Sequence, residues 1–265
     1  MKNILFIYWL ILVMNNDIPL AVTEIHTPPP GTKKISDNFY VDKKELSVID
    51  YRFYLHWLNV ILGEGSNEYR FALPDTSDMD NSLRKLGLGS ARDYFASPKY
   101  DEYPMIGINY DQALAYMQWR SDRVYEKVLV DKEIILYDDK QNRENFFSIA
   151  KYLSREYPVV KENSVIPYPV FRLPSEDDWE LIARKVFKKD HIELTERNRF
   201  EIPFRPLTRI VGLAGNVSEM VEEKGVCKGL NWTDATGSYS LLIRRHYTGS
   251  HSWLGVRYVC SWEAE

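Results

Sequence analysis

Residues Val211–Met220, with the sequence VGLAGNVSEM, form the stretch that decides the fold of this chain. The stretch contains Gly212 and Gly215, and glycine permits backbone conformations that other residues avoid. Glu219 is its only carboxylate, set among small and apolar neighbours. A turn through the glycines can direct carbonyl oxygens and this carboxylate towards one point. The stretch is therefore a candidate ion-binding or active-site segment.

Two further stretches accompany it along the chain. Phe171–Arg184 (FRLPSEDDWELIAR) precedes it and Trp253–Cys260 (WLGVRYVC) follows it. In the first, Ser175 and Asp178 have the spacing of a capping box, so the sequence predicts a helix that begins after Ser175. Glu176 lies in the first turn of that helix, where the helix dipole favours a carboxylate. A strand is predicted at 170–174.

Composition places the chain among ordinary globular proteins. It has 265 residues, 45% hydrophobic and 27% charged, with a net charge of −4. The negative charge, and the lack of a basic stripe interleaved with aromatic residues, argue against nucleic acid as a partner. No zinc-type spacing of cysteine or histidine is present in the sequence.

The first residues predict export. Lys2 precedes the apolar run Ile4–Met14, which has the length of a signal-peptide core and is short for a membrane span. We expect a signal peptide at residues 1–21, a linker at 22–36 that includes TPPPG, and one domain at 37–265. The alternative for the apolar run is a buried N-terminal strand or helix. Export predicts a periplasmic or cell-envelope protein of a Gram-negative bacterium, which is not integral to the membrane after leader cleavage.

Cys227 and Cys260 are the only cysteines. An exported chain could join them in a disulfide, and two buried free thiols are the alternative.

Hydrophobic spacing predicts helices in the first two thirds of the chain. One helix begins at Ser47 and ends at Gly63, and another begins after Asn109 with Gln112 in the capping-box position. Strands are predicted at 37–42 and 103–108. Between 63 and 104 we expect loops with one short helix near 82–86.

The rest of the chain predicts a surface insertion and then a helix-poor region. The insertion is predicted at about 121–169; residues 131–167 are charged and irregular, with a helix predicted at 142–153. After Pro206, short apolar runs separated by Gly, Asn and Ser indicate short strands and long loops. The fold class is therefore α+β, with irregular small sheets and few helices.

Six stretches in family order resemble the formylglycine-generating enzyme, or sulfatase-modifying factor, family. They are the opening FYVD with ELS, YPMIGINYDQALAYMQW, FRLPSEDDWELIAR, GLAGNVSEM, VCKGLNWTD and LGVRYV, over residues 39–259. The resemblance implies an elaborated C-type-lectin-like α+β domain.

The resemblance also implies a calcium site in the opening stretch. Family members bind the ion through main-chain oxygens at the positions of Gly215 and Val217 and through the carboxylate at Glu219, and a hard cation prefers such oxygen ligands. The family's Asn or Asp ligand at the start of the motif is Gly212 here. Calcium is therefore one interpretation. The alternative is that backbone amides or Arg257 hold Glu219 without a metal.

The oxidase members of the family hold copper with two cysteines five residues apart, because soft thiolates suit Cu(I). Aligned on Lys228 and Gly229, these positions fall at Asp234 and Tyr239, and the family's active-site serine falls at Asn231. The resemblance therefore predicts a non-catalytic member without copper. No other cofactor is predicted.

Three functions compete for this chain. The first is a scaffold or binding module of the cell envelope with a protein partner, as in family members of gliding-motility and secretion machinery. The second is an enzyme with altered chemistry, and the third is a calcium-dependent carbohydrate binder. The candidate polar groups for an enzyme are Glu219, Asp234, His246 and His251. The candidate binding face comprises Asn231, Trp232, Asp234, Tyr239, Arg244, Arg245 and Trp253, for which an aromatic core with solvated arginines is the alternative.

Overall fold

The structure is a computed structural model that describes residues 27–77, 79–160, 166–202 and 208–264. The predicted signal peptide at residues 1–21 lies outside these ranges, as does most of the predicted linker. Among the described residues, no helix is both long enough and apolar enough to cross a membrane.

The described residues form seven α-helices and one short 3-10 helix. Several begin at the residues expected from the sequence, because the Ser47, Asn109 and Ser175 side chains each accept a backbone N–H of the first turn. The helices are α1 Val48–Leu62, α2 Asn67–Ala72, α3 Met79–Lys85, α4 Ala91–Ala96, α5 Tyr110–Asp131, α6 Ile149–Leu153 and α7 Glu176–Phe187, with the 3-10 helix at Pro98–Tyr100.

Ten short strands form three sheets in the described chain. The strands are β1 Thr32–Ser36, β2 Phe39–Asp42, β3 Tyr168–Arg172, β4 His191–Leu194, β5 Ser218–Met220, β6 Val226–Lys228, β7 Gly237–Ser240, β8 Arg244–His246, β9 Leu254–Gly255 and β10 Val259–Glu263. The first sheet has the order β1-β2-β10-β3, the second pairs β4 with β7, and the third has the order β8-β6-β5-β9. The third sheet carries the candidate site.

The main hydrophobic core lies between α1, α5 and the first sheet. Tyr51, Tyr116 and Tyr258 are buried in it and stack at ring-centroid distances of 5.7–5.8 Å. Stacked aromatic rings add to the free energy gained from burial of their apolar area. The abundance of aromatic residues in this chain therefore serves the interior.

The structure corrects several boundaries in the N-terminal half. β1 begins at Thr32, so the predicted linker at 22–36 contributes a strand to the domain. Three helices and the 3-10 helix occur between 63 and 104, where loops with one helix were expected. No strand forms at 103–108; the segment makes an isolated bridge between Ser47 and Pro104 and scattered backbone hydrogen bonds, such as that from Asp75 N–H to the carbonyl oxygen of Gly107. The segment is buried, as a strand would be, and burial does not require a ladder.

The predicted insertion at 121–169 begins too early. α5 continues to Asp131, and its Tyr125 and Leu129 pack into a separate cluster with Phe147 and Ile149. The helix expected at 142–153 is restricted to α6. The sequence did not predict this small core, because its few apolar residues are spread among many polar ones in the segment.

Candidate functional site

The stretch 211–220 leads from a glycine turn into the third sheet. Gly212 has a φ of +85°, a backbone conformation that disfavours residues with a side chain. A Cβ on Gly215 would lie 2.3 Å from the carbonyl oxygen of Asn198, so only glycine fits this close approach. β5 then pairs antiparallel with β6 and parallel with β9, which places Glu219 opposite Lys228 and Gly255.

Asn216 fastens this turn to the preceding loop. Its side-chain oxygen accepts the backbone N–H of Glu201 at 2.8 Å, and its amide nitrogen donates to the carbonyl oxygen of Glu201 at 3.1 Å. Its own φ is +56°, a conformation that asparagine tolerates better than most residues. The turn is therefore fixed to the backbone N–H and C=O of one residue, Glu201, by a buried side chain.

Glu219 is buried and both of its carboxylate oxygens have donors. Arg257 Nε donates to Oε1 at 2.8 Å, and Trp179 Nε1 donates to Oε2 at 2.7 Å. Glu219 and Arg257 are each 1% exposed. A buried charge requires a partner of opposite charge and hydrogen bonds, and this carboxylate has both.

Arg257 gathers further oxygens around its guanidinium. Nη1 donates to the carbonyl oxygen of Asp42 at 3.0 Å, and Nη2 donates to that of Val211 at 2.7 Å. Glu45 Oε2 lies 3.6 Å from Nη2. Burial raises the pKa of Glu45 to about 7, although Arg257 opposes the shift and Glu219 adds to it.

The Glu45 carboxylate lies directly against Gly212. A Cβ on Gly212 would lie 2.3 Å from each Glu45 carboxylate oxygen. Glu45 is held there because Val211 N–H donates to the carbonyl oxygen of Lys43 at 2.8 Å, which joins the two segments. Oε1 of Glu45 is buried and has no hydrogen-bond partner among the described residues.

The Glu219 carboxylate is a poor calcium ligand in this arrangement. An oxygen cage for calcium needs lone pairs that are free to face the ion. Both oxygens of Glu219 accept from protein donors, and a cation, Arg257, already lies beside them. The position of the family's side-chain ligand is Gly212, against which the Glu45 carboxylate packs. Among the described residues, no group of three His, Cys, Asp or Glu side chains could hold a metal ion.

The positions aligned with the oxidase cysteines carry structural contacts. Asp234 Oδ1 accepts from Arg245 Nη1 at 2.8 Å, and its Oδ2 accepts the backbone N–H of Asn231 at 2.8 Å. The Tyr239 hydroxyl donates to the carbonyl oxygen of Ala235 at 2.8 Å. Asn231 is buried and its amide donates to Ser218 Oγ at 3.0 Å. Each of these side chains therefore has a hydrogen-bond partner within the domain.

The predicted binding face does not form one surface patch. Asn231 and Trp232 are buried, and Trp232 stacks on Phe200 at 5.7 Å. Trp253 is partly buried and stacks on His251 at 4.8 Å. Arg244 is the exposed member, and it pairs with Glu176 at 3.0 Å and with Glu223 at 2.7 Å. The alternative of a structural aromatic core therefore describes the two tryptophans better.

The candidate catalytic groups are engaged in separate contacts. Asp234 pairs with Arg245, Glu219 pairs with Arg257, and His251 stacks on Trp253. His246 Nε2 lies 3.4 Å from Arg244 Nη1 at the exposed edge strand β8. No nucleophile is hydrogen-bonded to a histidine among these contacts, so they do not assemble a catalytic group.

Cys227 and Cys260 are buried free thiols, so the disulfide alternative is not formed. Cys227 lies on β6 and Cys260 on β10, in two different sheets. Burial raises the pKa of Cys227 to about 12 and also raises that of Cys260. Both side chains are therefore held as thiols, which are poor nucleophiles.

A model of the sulfatase-modifying factor enzyme 1-like domain matches residues 13–202. The chain belongs to this family. The match covers well over half of the chain and confirms the α+β fold predicted from the sequence. The stretch 211–220 and the positions aligned with the oxidase cysteines lie beyond the matched residues.

Solved structures of low similarity were also found. CarF has 14% identity, covers 85% of this chain and 87% of its own, and gives a TM-score of 0.44. Treponema denticola variable protein 1 has 16% identity, covers 84% of each chain and gives a TM-score of 0.41. No curated protein matches the chain.

Sequence reasoning identified Arg257 as one possible partner of Glu219 but assigned no role to Glu45. Glu45 lies in the opening motif, 167 residues before Gly212. The absence of a side chain at Gly212, where the family has a ligand, was the available signal. It indicated that something else fills the space, but it could not indicate which residue.

Proposed function

We propose that the protein is a non-catalytic member of the sulfatase-modifying factor family that acts as a binding module or scaffold in the cell envelope. The observation that carries the proposal is the ion pair of Asp234 with Arg245 at 2.8 Å. Asp234 stands at a position where the family resemblance requires a copper-binding cysteine thiolate.

The chemistry supports the loss of the oxidase reaction. Cu(I) prefers soft thiolate ligands, and neither a carboxylate nor a phenol replaces a pair of them. Asp234 is held by Arg245 and by the backbone of Asn231, and Tyr239 by the backbone of Ala235. The two cysteines of the chain, Cys227 on β6 and Cys260 on β10, are buried free thiols and stand at neither aligned position.

Export and an envelope partner are parts of the same proposal. The run Ile4–Met14 supports a cleaved leader, after which the chain is not integral to the membrane. The charged edge around Arg244, Glu176 and Glu223 supports a protein partner, because these exposed ion pairs can exchange for pairs across an interface. A role in gliding or secretion machinery is the specific form that the family resemblance suggests.

An oxygen-uptake assay tests the loss of activity. The full chain is supplied with Cu(I) and a cysteine-containing peptide, and we expect no uptake above the metal-only rate. The double variant D234C/Y239C is the informative comparison, because it rebuilds the thiolate spacing and should bind Cu(I) when the wild type does not. Copper-dependent oxidation of the peptide by the wild-type chain would show that the proposal is wrong.

Expression in a Gram-negative host tests the localisation. We expect the protein in the periplasmic fraction, with a mature N-terminus at Val22 in its intact mass. An uncleaved chain in the cytoplasmic fraction would reject export. Cross-linking in the envelope then compares the wild type with Arg244→Glu and with the control Lys127→Glu, which alters an exposed ion pair on α5. A partner that is lost only in the first variant supports the binding edge.

A further inference from the structure

A groove lined largely by aromatic side chains lies between α1, α2 and α5. Its volume is about 450 Å³, and pockets that hold small molecules measure about 300–1,000 Å³. Its walls include the rings of Tyr54, Trp57, Phe71, Trp119 and Phe146. Phe71 is 47% exposed, so part of this aromatic surface is open to a ligand.

The rings of the groove hold one another in place. The Trp57 ring packs edge-to-face on Trp119 at a centroid distance of 6.3 Å and on Phe146 at 5.6 Å. The ring of Tyr54, one helical turn before Trp57, lies 5.2 Å from that of Trp119. A ligand that enters the groove therefore meets side chains that are already ordered, which lowers the entropic cost of binding.

Polar groups without partners accompany these rings. Tyr54 is 5% exposed, and its hydroxyl makes no hydrogen bond to the residues that the structure describes. Burial and, to a smaller extent, the Glu68 carboxylate raise the pKa of Tyr54 to about 12, so the hydroxyl remains a donor. Trp119 Nε1 is also buried without a partner among the described residues. The exposed amides of Asn67 and Gln118, which can donate and accept, line the same groove.

The charges around the groove are already balanced. Glu68 Oε2 pairs with Arg143 Nη2 at 3.3 Å. Asp122 accepts the backbone N–H of the first residue of α6 at 2.9 Å. The Arg123 guanidinium lies 5.0 Å from the centre of the Trp57 ring, where a cationic ligand would otherwise stack. The groove therefore suits a neutral ligand with both an apolar face and hydrogen-bonding groups.

We propose that this groove binds a neutral oligosaccharide. The C–H face of a pyranose ring packs on aromatic rings, whose faces carry the negative part of the quadrupole. Sugar hydroxyls both donate and accept, so they match the Tyr54 hydroxyl and the amides of Asn67 and Gln118. The site lies on other elements than the charged edge around Arg244, so the inference does not depend on the proposed function.

Isothermal titration calorimetry of the full chain tests the proposal. The probes are cellohexaose, maltohexaose and chitohexaose, with choline as the cationic comparison. We expect at least one saccharide to bind at a single site, and to bind more tightly than choline. No binding of any of the three saccharides, or binding of choline as tight as theirs, would overturn the proposal.

Two exposed phenylalanines provide a matched pair of variants. Phe71→Ala removes a wall of the groove and should weaken saccharide binding about tenfold. Phe53 is 60% exposed on α1 and does not line the groove, so Phe53→Ala should leave the affinity unchanged. Equal affinities of the two variants would overturn the proposal.

Tyr54→Phe tests the hydroxyl separately from the ring. We expect binding to weaken about fivefold, because a sugar hydroxyl loses its partner. The melting temperature should remain close to that of the wild type, since the hydroxyl has no partner among the described residues. Wild-type affinity in this variant would overturn the assignment of the hydroxyl to the ligand.

Discussion

Substitution of Gly212 by alanine tests the contact between this glycine and Glu45. Two costs arise at Gly212. The φ of +85° places a residue with a Cβ in the left-handed region, at about 1–2 kcal/mol. The new Cβ would also lie 2.3 Å from both oxygens of a buried carboxylate, and overpacking of this kind costs about 1–3 kcal/mol. The expected loss in the free energy of unfolding is therefore about 2–5 kcal/mol.

Gly249 provides a matched control in the same chain. Its φ is +71°, and a Cβ there would meet no heavy atom within 4 Å. Gly249→Ala therefore carries only the backbone cost, about 1–2 kcal/mol. The difference between the two alanine variants isolates the collision with Glu45.

Urea unfolding of the wild type, both alanine variants and Glu45→Ala provides the measurement. In the Glu45→Ala background, Gly212→Ala should cost only the backbone term of about 1–2 kcal/mol, because the carboxylate is gone. Equal losses for Gly212→Ala and Gly249→Ala, or a loss at Gly212 that Glu45→Ala leaves unchanged, would refute the reasoning.

Three further outcomes are expected. Native Cys227 and Cys260 should resist iodoacetamide near neutral pH, and both should react after unfolding, as followed by intact mass; modification of the folded chain would contradict their burial as thiols. Burial raises the pKa of Asp122 to about 6, so folding stabilises its protonated form. As pH rises from about 4 to about 6, the wild type should therefore lose roughly 3 kcal/mol of unfolding free energy relative to Asp122→Asn. If the unfolding free energies of the two proteins change with pH in parallel, the raised pKa is wrong. Asn216→Ala should cost about 2–4 kcal/mol, because it leaves the backbone N–H and C=O of Glu201 without their partners. Asn216→Asp keeps the acceptor for the N–H but buries a carboxylate against the Glu201 carbonyl oxygen, so it should cost more than Asn216→Ala. A smaller loss for Asn216→Asp than for Asn216→Ala would rule out that account.

Local signals predicted the beginnings of helices well. Ser47, Asn109 and Ser175 cap helices as expected, because a capping box is complete within four residues of sequence. Buried segments without regular pairing were predicted poorly. Residues 103–108 are largely apolar and buried, which is also the pattern of a buried strand. The sequence alone does not tell whether a neighbouring strand pairs with them, and here none does.

The candidate site shows the same limit. The sequence indicated that Glu219 needed a partner and offered Arg257 as one alternative, since both lie in recognisable motifs. The contact of Glu45 with Gly212 depends on how a turn and the segment after β2 meet in three dimensions. No periodicity or spacing encodes a contact between residues so far apart in the chain.

The strand order of the first sheet determines when that sheet can be completed during synthesis. β10 is the last strand in the chain, yet it lies between β2 and β3 and pairs with both. During synthesis, β1, β2 and β3 leave the ribosome long before their common partner exists, so that sheet cannot close until nearly the whole described chain has been made. Arg257 is also synthesised late, so its ion pairs with Glu45 and Glu219 can form only after the segment before β10 has been made. The first sheet of the described chain is therefore completed only by its last strand.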